Sequence, residues 1–187
     1  MARPSEIFAD TPVVAAVKSD LELQMALDSD CQVVFLLYGS ILNVAELVDR
    51  IHRAGKYCFV HMDLLEGFSS REIAVDGLTR LCCPDGIIST KIPLVRRAKQ
   101  LGMIGVLRMF LLDSLSMKNL LNQLEAFRPD YVEVLPGVIP GLIWEITRTT
   151  TVPLIAGGLI RTKEDVIAAL RAGAVAVSTS SSQVWDM

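Results

Sequence analysis

The residues in this sequence that could do chemistry are polar groups at the ends of short apolar runs. His61-Met62-Asp63 closes one run and Ser89-Thr90-Lys91 another, while Arg108 and Glu133 interrupt two more. An isolated buried charge is prohibitively costly, so His61, Asp63, Lys91, Arg108 and Glu133 must pair together, meet solvent or hold a ligand. An internal ion-pair network is the bland reading. A ligand-facing set is the favoured one, with Asp63 and Glu133 meeting hydroxyls and Lys91 and Arg108 balancing charge. Alternation along an extended run puts His61 and Asp63 on one face.

A second constellation lies further on. Ala156-Gly157-Gly158-Leu159 is followed, about 20 residues later, by Ser178-Thr179-Ser180-Ser181 and the start of a short helical turn near Gln183. Glycine lets backbone N–H groups approach an anion closely, and hydroxyls add donors. Gly157, Gly158, Ser178 and Thr179 are therefore read as a phosphate-binding set, with a merely tight turn as the alternative. Other chemistry is poorly supported. The chain has two histidines, and His52 stands alone in a helical stretch, so no metal site is expected. Neither a P-loop nor a G-x-S-x-G elbow occurs. Lys91 suits a salt bridge or phosphate clamp better than a Schiff base. A general base at Asp63 or Glu133, with Lys91 as electrophile, would make a phosphosugar isomerase or lyase, and that is the rival reading.

These residues need a scaffold that brings several run ends together. Apolar, β-branched runs are expected as strands at 13–17, 33–39, 58–64, 86–91, 103–110, 131–135, 153–157 and 174–178, recurring every ~20–28 residues as in trimmed βα units. The stretches between them carry helix punctuation. Ser19-x-x-Glu22 and Ser69-x-x-Glu72 fit capping boxes, and Asn43-x-x-Glu46 and Thr162-x-x-Asp165 are looser versions. Gly55, Gly102 and Gly173 stand where helices end in a left-handed residue. Near-continuous apolar strands belong in a parallel sheet covered on both faces. Eight equivalent units without a dinucleotide loop favour a closed α/β fold, a compact (β/α)8 TIM-type barrel with a trimmed final helix. Polar residues at strand C-termini would then line its mouth. After the eighth strand only Ser181–Met187 remains. Ile7 and Phe8, or a second subunit in a homodimer, are expected to cover the wall left bare there.

The totals fit one domain over residues 1–187. Half the 187 residues are hydrophobic and a fifth are charged, which argues against disorder. Mean hydropathy is +0.44, yet no run approaches the ~20 apolar residues of a membrane span. Residues 1–6 lead into no apolar signal core, so a cytoplasmic protein without membrane contact is expected. Cys31, Cys58, Cys82 and Cys83 form no C-x-x-C pair and are read as reduced thiols. A net charge of −3 gives no global attraction to nucleic acid. Arg96-Arg97-x-Lys99 and the Arg50/Arg53/Lys56 group are the local basic patches, read first as solvated helix faces.

Six stretches together resemble the glycerol uptake operon antiterminator family. They are Val60-His61-Met62-Asp63-Leu64, Gly67-Phe68-Ser69-Ser70-Arg71-Glu72, Asp85-Gly86-Ile87-Ile88-Ser89-Thr90-Lys91, Glu133-Val134-Leu135-Pro136-Gly137, Ile155-Ala156-Gly157-Gly158-Leu159-Ile160 and Val177-Ser178-Thr179-Ser180. The likeness runs to Gln183-Val184-Trp185. It implies a phosphate-binding barrel whose effector is glycerol 3-phosphate, with no cofactor, acting on leader mRNA as a regulator and not an enzyme. Lys91 stands where the family often has arginine, and Ser178-Thr179-Ser180-Ser181 where relatives often show Thr-Thr-Asn.

Overall fold

The computed structural model describes residues 7–8 and 11–186, so the 1–6 segment read for an export signal lies outside it. Strands and helices alternate as β1 (Val13–Val17), α1 (Asp20–Asp28), β2 (Val33–Leu36), α2 (Val44–Arg53), β3 (Tyr57–His61), α3 (Glu72–Cys82), β4 (Gly86–Ser89) and α4 (Ile92–Gln100). They continue as β5 (Ile104–Phe110), α5 (Ser114–Ala126), β6 (Tyr131–Leu135), α6 (Pro140–Thr149), β7 (Leu154–Gly157), α7 (Lys163–Arg171) and β8 (Ala176–Thr179). Each strand pairs in parallel with the next, and β8 pairs with β1 through Val13 and Val177 to close the barrel. No helix among the described residues is long and apolar enough to cross a membrane.

Side-chain alternation explains the layering. Val14, Val33, Phe35, Phe59, Ile88, Val106, Tyr131, Ile155 and Ala176 point into the barrel, and their neighbours Ala15, Val34, Val60, Ile87, Leu107, Val132 and Val177 pack under the helices. Phe59 fills the interior so fully that a Cβ on Gly86 would lie 2.5 Å from its ring. The lower half of the bore is apolar. One step of two residues further up β3, β5, β6, β7 and β8, the inward positions become His61, Arg108, Glu133, Gly157 and Ser178. The period-2 rule therefore stacks the polar groups in one layer at the C-terminal end.

Strands β1 and β6 have the expected bounds, and several others end early. β3 stops at His61 because Met62–Leu64 forms a 3-10 turn, so alternation does not carry Asp63 to the face of His61. β4 ends at Ser89, where Thr90 and Lys91 turn toward Asp63. Ser19 caps α1 by accepting from the Glu22 N–H, and Thr162 with Asp165 forms a reciprocal box. Ser69 caps nothing, since α3 begins at Glu72 behind Arg71, and Asn43 makes no cap bond. Asp113 and Ser116 form a box that the sequence reading missed, because serine replaces the usual Glu or Gln at its third position.

The wall between β8 and β1 is covered differently from expectation. Ile7 and Phe8 plug the N-terminal end of the bore, where Phe8 meets Tyr131 edge-on at 4.8 Å. A 3-10 turn, Ser182–Val184, and the buried Trp185 stand in for the eighth helix. The Trp185 indole donates to the Thr179 carbonyl at 3.0 Å, and its own carbonyl accepts from the Cys31 thiol. The chain covers its own wall, which removes the ground on which a second subunit was expected there. Trp185→Ala should cost about 3–5 kcal/mol of unfolding free energy, as buried aromatic truncations do. Urea denaturation reads it; an unchanged midpoint would show that the turn is dispensable.

Candidate functional site: the barrel mouth

Glu133 is the centre of the polar layer. Its side chain is 0% exposed, and Oε2 accepts from Arg108 Nε while Oε1 accepts from Ser178 Oγ, each at 2.5 Å. A Cβ on Gly157 would lie 2.5 Å from Glu133 Oε1 and 2.8 Å from Ser178 Oγ. Gly157 is thus glycine because the carboxylate leans on it. Charge-assisted bonds of this kind are what make a buried carboxylate tolerable.

Above this layer opens a cleft of about 720 Å³, reaching from Arg108 and Glu133 to Lys18, Gly158, Leu159, Arg161 and Ser180. Gly158 and Leu159 are successive residues with left-handed backbones, φ +74° and +64°. Leucine rarely adopts that region, and such strain clusters at functional sites. Gly137 fixes the bend by donating to the Gly157 carbonyl at 2.6 Å, so the Leu135-Pro136-Gly137 and Gly157-Gly158 motifs form one physical unit. The amide N–H groups of Gly158, Leu159 and Ser180 have no acceptor among the described residues, and neither do the Lys18 ammonium and the Arg161 guanidinium. Three amides and two cations on one rim make a donor set with the character of an anion cradle.

The expected phosphate residues divide in two. Gly158 supplies a cleft amide, and Gly157 shapes the floor. Ser178 gives its only proton to Glu133, and the Thr179 hydroxyl donates to the Ile160 carbonyl at 2.6 Å and accepts from the Ser181 N–H at 3.0 Å. Both hydroxyls hold the loops in place. Lys18, Leu159, Arg161 and Ser180 were missed. Lys18 directly follows β1, so the strand-end rule that found Lys91 could have found it. Backbone amides carry no side-chain signal.

Asp63 and Lys91 are not brought into this cleft. Asp63 accepts from Ser89 Oγ, Thr90 Oγ1 and the Thr90 N–H at 2.7–3.1 Å, and Lys91 Nζ lies 3.6 Å away while also bonding Ser70 Oγ. Burial pushes the Asp63 carboxyl up, but the bonds from the Thr90 N–H and the two hydroxyls outweigh it and hold the group below the usual range. These residues close the β3–β4 side of the mouth. His61 stands between the two groups, 3% exposed, with Nδ1 lacking a partner among the described residues. Burial, then the charge of Arg108, lowers its pKa to about 4, so it is neutral near pH 7. No group of three or more His, Cys, Asp or Glu that could hold a metal occurs among the described residues.

The basic patches are engaged with their own surroundings. Arg97 pairs with Asp76, Lys99 with Asp130 and Arg50 with Asp20, while Arg53 pairs with Asp49. Lys56 is buried on the Ser29 and Cys31 carbonyls, and Arg96 lies 5.3 Å from the Phe127 ring centroid.

Fold and cleft define a parallel eight-stranded barrel with an open, donor-lined mouth. The family described as "Glycerol-3-phosphate responsive antiterminator" matches residues 13–185, and the chain belongs to it. A protein of Escherichia coli (strain K12), described as "Uncharacterized protein YgcP", is 41% identical, the match covering 97% of this chain and 95% of that protein. A glycerol uptake operon antiterminator regulatory protein from Listeria monocytogenes str. 4b F2365 superposes with a TM-score of 0.92 at 32% identity, covering 95% of this chain and 96% of that one. A glycerol uptake operon antiterminator-related protein from Thermotoga maritima MSB8 gives 0.83 at 34% identity, over 94% and 98% of the two chains. More distant barrel enzymes, 12% to 16% identical, share the fold alone.

His61 yields a pH signature. Its pKa falls from 6.5 to about 4 on folding, so in that window the unfolded chain binds a proton that the folded chain does not. Unfolding free energy should therefore drop as pH is lowered from 6.5 toward 4, by up to about 3 kcal/mol at ~1.4 kcal/mol per unit. Comparing denaturation midpoints of the native chain and His61→Asn across this range isolates the effect. Equal slopes would contradict it.

Proposed function

We propose that the protein is a ligand-responsive antiterminator that binds glycerol 3-phosphate at its barrel mouth and acts on leader mRNA. One observation carries the ligand reading: three amide N–H groups stand beside two cations on the rim of one cleft, all five without an internal partner among the described residues. A phosphomonoester brings about −1.5 to −2 charges and strong acceptor oxygens, which such donors match. In this arrangement the phosphate rests on Gly158, Leu159 and Ser180 with Lys18 and Arg161 alongside. The glycerol hydroxyls reach down to Arg108, under which Glu133 lies buried. This revises the sequence-based placement, which used the Ser178 and Thr179 hydroxyls together with Asp63 and Lys91.

A regulator is favoured over an isomerase or lyase by the state of the bases. Asp63 is hydrogen-bonded on both oxygens and ion-paired, and each oxygen of the buried Glu133 already accepts a bond, from Arg108 or from Ser178. Neither is free to take a proton from a substrate. The RNA step rests on family membership, because the two local basic patches are engaged with their own surroundings. Regulation requires that the ligand favour one conformation or assembly, since equal affinity for both shifts nothing.

Calorimetry should show glycerol 3-phosphate binding that Gly158→Asp abolishes, because a side chain there strains the φ +74° backbone that presents the cradle amides, crowds Leu135 at 3.0 Å and adds negative charge beside the rim. Unchanged affinity would refute the site. Leader transcript should be retained only with ligand present and released progressively by salt, as phosphate contacts are. No retention at low salt would refute the RNA step.

A further inference from the structure

We infer that the buried Glu133–Arg108 pair acts as a charge filter, restricting the mouth to phosphomonoesters whose other end is a neutral polyol. The inference rests on the anion-cradle reading above and adds to it the class of ligand and the residues that select it.

Counting charge across the cleft leads there. At the rim, Lys18 and Arg161 have no ion-pair partner among the described residues, and together they match one dianionic phosphate. At the floor, Arg108 and Glu133 cancel, so no net positive charge remains for a second anionic group. Hydrogen bonding gives the same answer. Glu133 takes only Nε of Arg108, and the two terminal guanidinium nitrogens, which have no acceptor among the described residues, face the cleft. They donate to a ligand oxygen, while Glu133, buried beneath them, already offers one oxygen to Arg108 and the other to Ser178. A hydroxyl oxygen accepts from the guanidinium nitrogens without bringing charge. A carboxylate would place a second negative charge close to a carboxylate that is 0% exposed, where like charges are strongly unfavourable.

Glu133 cannot retreat to relieve that repulsion. Ser178 holds Oε1, Arg108 holds Oε2, and Gly157 is packed against the carboxylate. The floor is also continuous with the cradle, since Gly157 precedes the Gly158 amide and Ser178 lies two residues before Ser180. Glu133 is therefore a positioning residue as well as a filter: it holds the Arg108 fork under the ligand and keeps the floor neutral.

Glycerol 3-phosphate and 3-phosphoglycerate test this, because they share a skeleton and differ in a terminal CH2OH against a carboxylate. Calorimetry on the native chain should show glycerol 3-phosphate binding at least about 10-fold more tightly, the scale of one mismatched polar contact. Glu133→Gln removes the charge and keeps an acceptor for Arg108, so it should narrow or invert that ratio; a purely structural role would weaken both ligands together. If the variant fails to fold, the native ratio decides alone. Equal or tighter binding of 3-phosphoglycerate by the native chain overturns the filter while leaving the cradle standing. Failure of inorganic phosphate and both esters to bind overturns the cradle, and the filter with it.

Discussion

A carboxylate without solvent contact sits near the top of a closed barrel, and much of the upper half of the molecule is arranged around it. Desolvating Glu133 would cost several kcal/mol if it were left alone. Arg108 from the neighbouring strand, Ser178 from two strands along and the missing side chain of Gly157 make its position tolerable. Those three contacts tie β5, β6, β7 and β8 together at the end where the loops leave. The Gly157-Gly158 bend and the Ser178–Ser181 loop both start from residues that touch this carboxylate, so the cradle inherits its geometry from the ion pair beneath it.

The same arrangement separates two jobs that the sequence seemed to merge. Five ionisable groups looked like one network, yet the structure divides them around a neutral His61. Asp63 and Lys91 close the mouth on the β3–β4 side, where Asp63 gathers the Thr90 N–H and two hydroxyls. Arg108 and Glu133 form the floor of the cleft. The rim cations, Lys18 and Arg161, belong to neither group and stay free of internal partners among the described residues.

The barrel itself was legible because its signal is redundant. Eight apolar runs, spaced helix caps and glycines after helices all point to one architecture, and β1 and β6 fall where their residue types put them. Bounds failed where a side chain captured the backbone: Asp63 pulls Thr90 out of β4, and the 3-10 turn after His61 breaks the alternation used to place Asp63. Part of the site was readable from side chains, namely Arg108, Glu133 and the Gly157-Gly158 pair. The amides of Leu159 and Ser180 were not, because every residue but proline carries one and only the local fold decides which are left without acceptors. Ser178 and Thr179 misled in the opposite way, since a hydroxyl that holds a loop and one that binds a ligand are the same in sequence. Trp185 was noticed as part of a motif, but its role as the barrel's missing cover depends on a contact with Thr179 that spacing does not reveal.

Amide nuclear magnetic resonance on the full chain gives the most direct test of the central claim, that backbone donors at the mouth receive the anion. During titration with glycerol 3-phosphate, the amide protons of Gly158, Leu159 and Ser180 should move furthest, and downfield, as they gain charged acceptors. Stationary signals from those three residues, with Thr90 and Lys91 shifting instead, would place the anion on the other side of the barrel and contradict the account.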